Sequence, residues 1–171
     1  MKTVDEKRVP VPVLAVPVPV LVLDEEETIE DLAVTICAFQ QGLGEEFALY
    51  SPDPSDAPGA TVTREKLQSV LATTFCTYFG QSPAERFADL FDQATYLAQH
   101  LAKDHLFQDG NKRTALTAAL AILRSAGVCV AFDDTDDPAT NRYYAWIQDI
   151  VSGARTNEAL SEELRQSAVI G

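Results

Sequence analysis

Positive charge is scarce in this chain. Its 171 residues carry 13 Lys and Arg against 26 Asp and Glu, a formal charge of −13, which repels a phosphate backbone unless the cations gather in one patch. Nucleic-acid binding is therefore not expected, and the acidity suits a soluble protein. Cysteine is scarce as well. Cys37, Cys76 and Cys129 are odd in number and far apart, and without a C-x-x-C pair they suggest neither a zinc site nor a redox dithiol. They read as reduced core residues of a cytoplasmic protein. The two histidines, His100 and His105, are five apart and so do not share a helix face, which argues against a zinc hydrolase. Beyond residue 23, neither sustained two-residue alternation nor a repeat appears, which leaves helix as the dominant element.

Proline is concentrated near the start. "VPVPVLAVPVPVLVL", residues 9–23, follows Lys7 and Arg8 and has the outline of a secretory signal. Pro10, Pro12, Pro17 and Pro19 would break its helix, however, and an acidic run follows in place of a small-residue cleavage site. It is also too short to cross a bilayer, so no membrane association is expected. Proline at every second position favours an extended conformation. Residues 1–23 are read as an extended arm, either free or docked on this chain or a partner, and residues 24–171 as one helical domain.

Helical periodicity then begins. Ile29, Leu32, Ala33 and Ile36 share a face of a first helix ending near Gln41. Residues 42–62, with three Pro and three Gly, read as a long loop. Thr63 can cap a second helix with a stripe of Leu67, Val70, Leu71, Phe75 and Tyr78. "SPAE" at 82–85 is a capping box with proline at the first helical position, opening a helix that runs through Phe87, Leu90, Phe91, Ala94, Leu97, Ala98 and Leu101 to about Lys103. An alanine-rich helix carrying Leu116, Leu120 and Leu123 belongs near the centre. After a short β-like "VCVAF", the loop "DDTDDP" lacks the Gly and terminal Glu of a calcium-binding hand and reads as a solvated turn. A helix with Tyr143, Ile147, Ile150 and Val151 comes next, then a last one over 157–168 burying Leu160 and Leu164. The class is all-α, a compact bundle of about six helices.

The densest chemistry lies in "HLFQDGNKRT", residues 105–114, between two core helices. Gly110, Asn111 and Lys112 would offer backbone N–H groups at a helix N-terminus, where the dipole also favours an anion. Arg113 adds a planar fork for phosphate oxygens and Lys112 a mobile point charge. Cations in a first helical turn oppose the dipole and need a reason. His105 can take a proton from an attacking hydroxyl near neutral pH. Asp109 can either hold magnesium between phosphates or orient the imidazole, and Phe107 can fix the loop in the core. An ordinary turn and cap with a structural histidine is the plain alternative.

Read without a gap, His105, Phe107, Asp109, Gly110, Asn111, Lys112, Arg113, Thr114, Ala115 and Leu116 resemble the motif of the Fic/Doc family in its Doc (death-on-curing) toxin branch, H-x-F-x-D-[AG]-N-K-R-T-A-L. The likeness covers roughly residues 57–167. It implies a Fic/Doc-type helical bundle and ATP with Mg2+ as substrate and cofactor. It also implies His105 as catalytic base, Asp109 as a catalytic group that helps hold magnesium or the imidazole, and Gly110, Asn111, Lys112 and Arg113 as the phosphate-binding set. Fic enzymes, which transfer AMP, carry G-N-G-R-x-x-R; here Lys112 replaces the second glycine and Leu116 the second arginine, as in Doc toxins. The resemblance thus implies transfer of the γ-phosphate to a threonine of elongation factor Tu, with translation blocked. The family's inhibitory pattern [ST]-x-x-x-E-[GN] is not found, since "TVTREK" at 61–66 ends in Lys66, so restraint is expected from a separate antitoxin. AMP or another nucleotidyl transfer, and a catalytically silent binding module, stand as alternatives.

Overall fold

The computed structural model describes residues 18–47, 60–107 and 110–171. Among them are seven helices and one two-stranded sheet, the all-α architecture that the periodicity implied. The first helix, α1 (Glu26–Phe47), passes the expected stop near Gln41. Gly42 and Gly44 each weaken a helix interior by only about 1 kcal/mol, and the helix runs through both to Phe47. Ile29, Ala33 and Ile36 are buried as the stripe requires. α2 (Ala60–Phe75) starts before Thr63, since a threonine inside a helix costs well under ~1 kcal/mol and Ala60 has the highest helix propensity. Its Leu67, Leu71 and Phe75 are fully buried. Tyr78 leaves that stripe and instead pairs with Gln81 across a tight turn, with Phe79 and Gly80 both left-handed.

The helix expected from Ser82 to Lys103 is two helices. α3 (Pro83–Arg86) opens as "SPAE" requires, Ser82 N–H donating to the Glu85 carboxylate at 2.7 Å. The chain then turns extended at Phe87 (φ −119°, ψ 137°) and restarts as α4 (Leu90–Lys103). Asp89 causes the restart: its Oδ1 caps Asp92 N–H at 3.1 Å, and Asp92 Oδ2 accepts Ala88 N–H in return. Arg165 fastens Asp89 from outside, Nε to Oδ2 at 2.7 Å and Nη2 to Oδ1 at 3.1 Å.

α4 is the central element, packed against α2, α5 (Asn111–Ser125), α6 (Arg142–Ser152) and α7 (Asn157–Gln166). Leu90, Ala94, Leu97, Ala98 and Leu101 are fully buried along it. α5 lies across α1, α4 and α6, its alanines allowing close approach. Trp146 of α6 is buried and donates from Nε1 to Leu160 O at 3.1 Å, tying α6 to α7. The last helix stops at Gln166, short of the expected 168, and residues 168–170 pair with the β-like run. β1 (Val128–Val130) and β2 (Ala168–Ile170) run antiparallel, Cys129 opposite Val169. The three cysteines are free and half-buried at the edge of the core, not within it.

Of the arm, residues 18–23 lie against the bundle without regular secondary structure, and residues 1–17 fall outside the described set. Leu90 N–H donates to Val18 O at 2.9 Å and Leu23 N–H to Phe75 O at 2.8 Å. Fully buried Gln93 completes the attachment, accepting from Leu21 N–H at 2.8 Å and donating to Leu21 O at 2.7 Å and Thr74 O at 3.0 Å. Among the described residues no helix is long and apolar enough to cross a membrane.

Candidate active site at the start of helix α5

The connection from α4 to α5 carries the whole motif. Asp104 ends α4, its N–H donating to His100 O at 3.0 Å. His105 comes next with φ 49°, in the left-handed region, and its side chain is exposed. A residue with a Cβ stays there at a cost of about 1 kcal/mol or more, so its neighbours must hold it. Leu106 is one holder, at 5% exposure. Phe107 is half-buried and packs against the core, as its place in the motif suggested. Asn111 grips Phe107 from the next helix, Oδ1 accepting the Phe107 N–H at 3.0 Å and Nδ2 donating to the Phe107 carbonyl at 2.8 Å.

Gly110 is the N-cap of α5, at φ 76° and ψ 13°, and its carbonyl accepts the Thr114 N–H at 2.9 Å. A side chain at that φ would be strained. A glycine cap also supplies no side-chain acceptor to the first-turn N–H groups, which keeps the positive end of the helix directed outward. Asn111, Lys112 and Arg113 form that first turn. Lys112 and Arg113 are exposed, and Lys112 Nζ donates to Gln148 Oε1 on α6 at 3.2 Å.

Beside these cations lies a cavity of about 430 Å³, the size of a small-molecule site. Lys112, Arg113, Leu116 and Leu120 form one wall, Tyr143, Tyr144 and Ile147 of α6 the opposite one, and Asp134 and Asp136 lie at its loop edge. Tyr143 is held rigid: its hydroxyl donates to Val130 O at 2.6 Å, its ring lies 5.1 Å from Phe132, and burial pushes its phenol above the ordinary range. Tyr144 is 47% exposed. Asn141 caps α6 through Tyr144 N–H and braces the acidic loop by donating to Asp134 Oδ1 at 2.7 Å.

Gly110, Asn111, Lys112 and Arg113 are thus brought together at one helix end, and the two cations open onto a cavity. His105 precedes them in the connection and is not part of the cavity wall. Asp109, the candidate metal ligand, lies outside the described residues. The tyrosine wall was missed in the sequence, where Tyr143 and Ile147 read only as a buried stripe. Its one signal is the Tyr143–Tyr144 pair itself, since adjacent helical residues cannot both face the core.

Comparison with known proteins agrees with the motif. The model of the Fic/DOC family matches residues 25–123. A protein named protein kinase doc, from Escherichia phage P1, is 43% identical over 75 residues, covering 43% of this chain and 50% of that protein. A toxin Doc from Mycolicibacterium smegmatis is 38% identical over 73 residues, 43% of this chain and 54% of the toxin. The chain spans about half the length of these curated relatives.

Proposed function

The chain belongs to the Fic/DOC family, on its Doc branch, and from that premise we propose that it is a toxin kinase moving the γ-phosphate of ATP to a protein hydroxyl. The observation that carries this reading is the glycine-capped start of α5 with Lys112 and Arg113 on a cavity of nucleotide size. A phosphoryl transfer asks a protein for position and for charge neutralisation, and those groups supply both. The name of the phage relative, protein kinase doc, points the same way.

In this reading the tyrosine-walled cavity takes the nucleoside, and Lys112, Arg113 and the first-turn N–H groups bind the phosphates. His105 accepts the proton of the target hydroxyl as its oxygen bonds to the γ-phosphorus, and the bond from that phosphorus to the bridging oxygen breaks to release ADP. Asp109 is the carboxylate in the motif that would hold Mg2+ with the phosphates, the sparse donor set that ion takes beside ATP. When bound, the ion supplies further neutralisation of phosphate charge. Asn111 acts through its backbone N–H and as the strut that fixes Phe107. Leu116 on the cavity wall places an apolar group where an AMP-transferring relative would carry a second arginine clamp. The target proposed is a threonine of elongation factor Tu, with translation blocked in the cytoplasm and the activity restrained by a separate antitoxin.

The test is incubation of the protein with Mg2+ and elongation factor Tu, in parallel with ATP labelled on the γ- or the α-phosphate. Label from γ alone, lost in His105→Ala with the fold retained, is the expected result. Label from α would replace the reading with nucleotidyl transfer. No label in the factor or in a whole lysate, with ATP still bound, would leave a silent binding module.

A further inference from the structure

The strain at His105 has holders on both sides, and one of them lies outside the motif. On the α5 side, buried Leu106 and the Asn111 clamp on Phe107 fix the two residues after His105. On the α4 side, His100 fixes the residue before it. His100 Nδ1 lies 3.0 Å from Asp104 Oδ2. A carboxylate only accepts, so Nδ1 carries the proton and the imidazole has one orientation. The Asp104 N–H also closes on His100 O at 3.0 Å. Residue 104 is therefore held by backbone and side chain to the same residue, one position before φ 49°.

His100 is itself braced. Its ring lies 4.4 Å from that of Tyr96, which lies 5.1 Å from Phe87, and the Arg86 guanidinium sits 5.0 Å over Phe87. Arg86 is pinned in turn by the carbonyls of Thr73 and Cys76. A chain of side-chain contacts, its rings tilted against one another, thus runs from the end of α3 through Tyr96 and His100 of α4 to the residue before His105. His100 and Asp104 are 35% and 42% exposed, and a pair that exposed contributes little to global stability. Its consequence is local.

We propose that His100 is a positioning residue for His105, holding Asp104 so that the chain enters the left-handed conformation that sets the base. The inference rests on the reading of His105 as general base, but its geometry can be tested apart from it. The chain has two histidines, so when His100 is replaced the remaining imidazole signal belongs to His105. In His100→Ala the backbone 13C shifts of His105 should move from left-handed toward averaged values, with the melting temperature within about 2 °C of the parent. In His100→Asn, whose side-chain amide can donate to Asp104 from the place of Nδ1, the shifts should return. Phosphate transfer should change in parallel: kcat down about tenfold in His100→Ala with the ATP KM unchanged, and restored by asparagine to within about twofold. Unmoved His105 shifts in His100→Ala, or no rescue by asparagine, would overturn the proposal. If the shifts respond as stated while the parent protein transfers no phosphate, the kinase reading fails and the positioning of residue 105 stands.

Discussion

Asn111 uses both ends of its amide on one residue, and that makes it the hinge pin of the motif loop. Replacing it with alanine strands the Phe107 N–H and carbonyl. Asn111→Ala should lower stability by about 1 to 2 kcal/mol in thermal or urea unfolding, the cost of half-buried groups left without their partner. Transfer should fall by more than ATP binding does, because the base moves while the first-turn N–H groups remain. Gly110→Ala acts on the other half of the site: a methyl at φ 76° costs about 1 to 2 kcal/mol. The N-cap then shifts, so weaker ATP binding by calorimetry is expected ahead of any change in kcat. The helix start that gathers Gly110, Asn111, Lys112 and Arg113 was legible from residue types alone, because glycine, asparagine and two cations before an apolar stripe imply a helix N-terminus. The grip of Asn111 on Phe107 was not. It needs the loop to fold back on itself, and no local spacing shows that. The tyrosine wall was hidden for a related reason, since it forms only when α6 is laid beside α5.

The break between α3 and α4 is held by side chains that spacing cannot report. Phe87, Leu90, Phe91 and Ala94 keep helical intervals across it, so periodicity runs straight through. The stop is instead written in Asp89 and Asp92, which exchange capping bonds, and in Arg165 from seventy-six positions away. Asp89→Ala should cost about 2 kcal/mol, the sum of a lost cap and charged hydrogen bonds. Asp89→Asn keeps a cap acceptor and should cost less. Equal losses in the melting curves of the two variants would mean that the Arg165 pairing, not the cap, makes the restart. The β1–β2 pair has a similar history. Three residues are too few to show a period, and Ala168–Ile170 becomes a strand because Val128–Val130 offers an edge. By contrast the stripes of α1, α2 and α7 were readable, since each buries one face in the core and leaves the other to solvent.

At the scale of the molecule, burial is the leading cause of a raised pKa at four groups that titrate on the alkaline side. Desolvation raises the thiols of Cys37 and Cys76 and the phenols of Tyr96 and Tyr143 above their ordinary values. Each group holds its proton longer folded than unfolded. Their contribution is full below the unfolded thiol range near pH ~8.5 and is lost as pH rises through the folded values. The melting temperature should therefore be flat from pH 7 to about 8.5 and fall beyond it, and Tyr143→Phe should lessen the upper part of that fall. A melting temperature that climbs above pH 9 would contradict the account. Gln93 joins residues 18–23 to α2 and α4, and Gln93→Leu should cost about 2 to 4 kcal/mol by stranding Leu21 and Thr74. Hydrogen exchange at Leu21 and Leu23 should then rise before exchange in α4 does. The same attachment governs the order of assembly on the ribosome. Leu21 is made 72 residues before Gln93, so at about 5 to 20 residues per second its binding place does not exist for roughly 4 to 14 seconds after it is synthesised. Leu21 and Leu23 leave the exit tunnel early yet dock late, and a nascent chain stalled before α4 would present them uncovered to any chaperone that reads apolar segments.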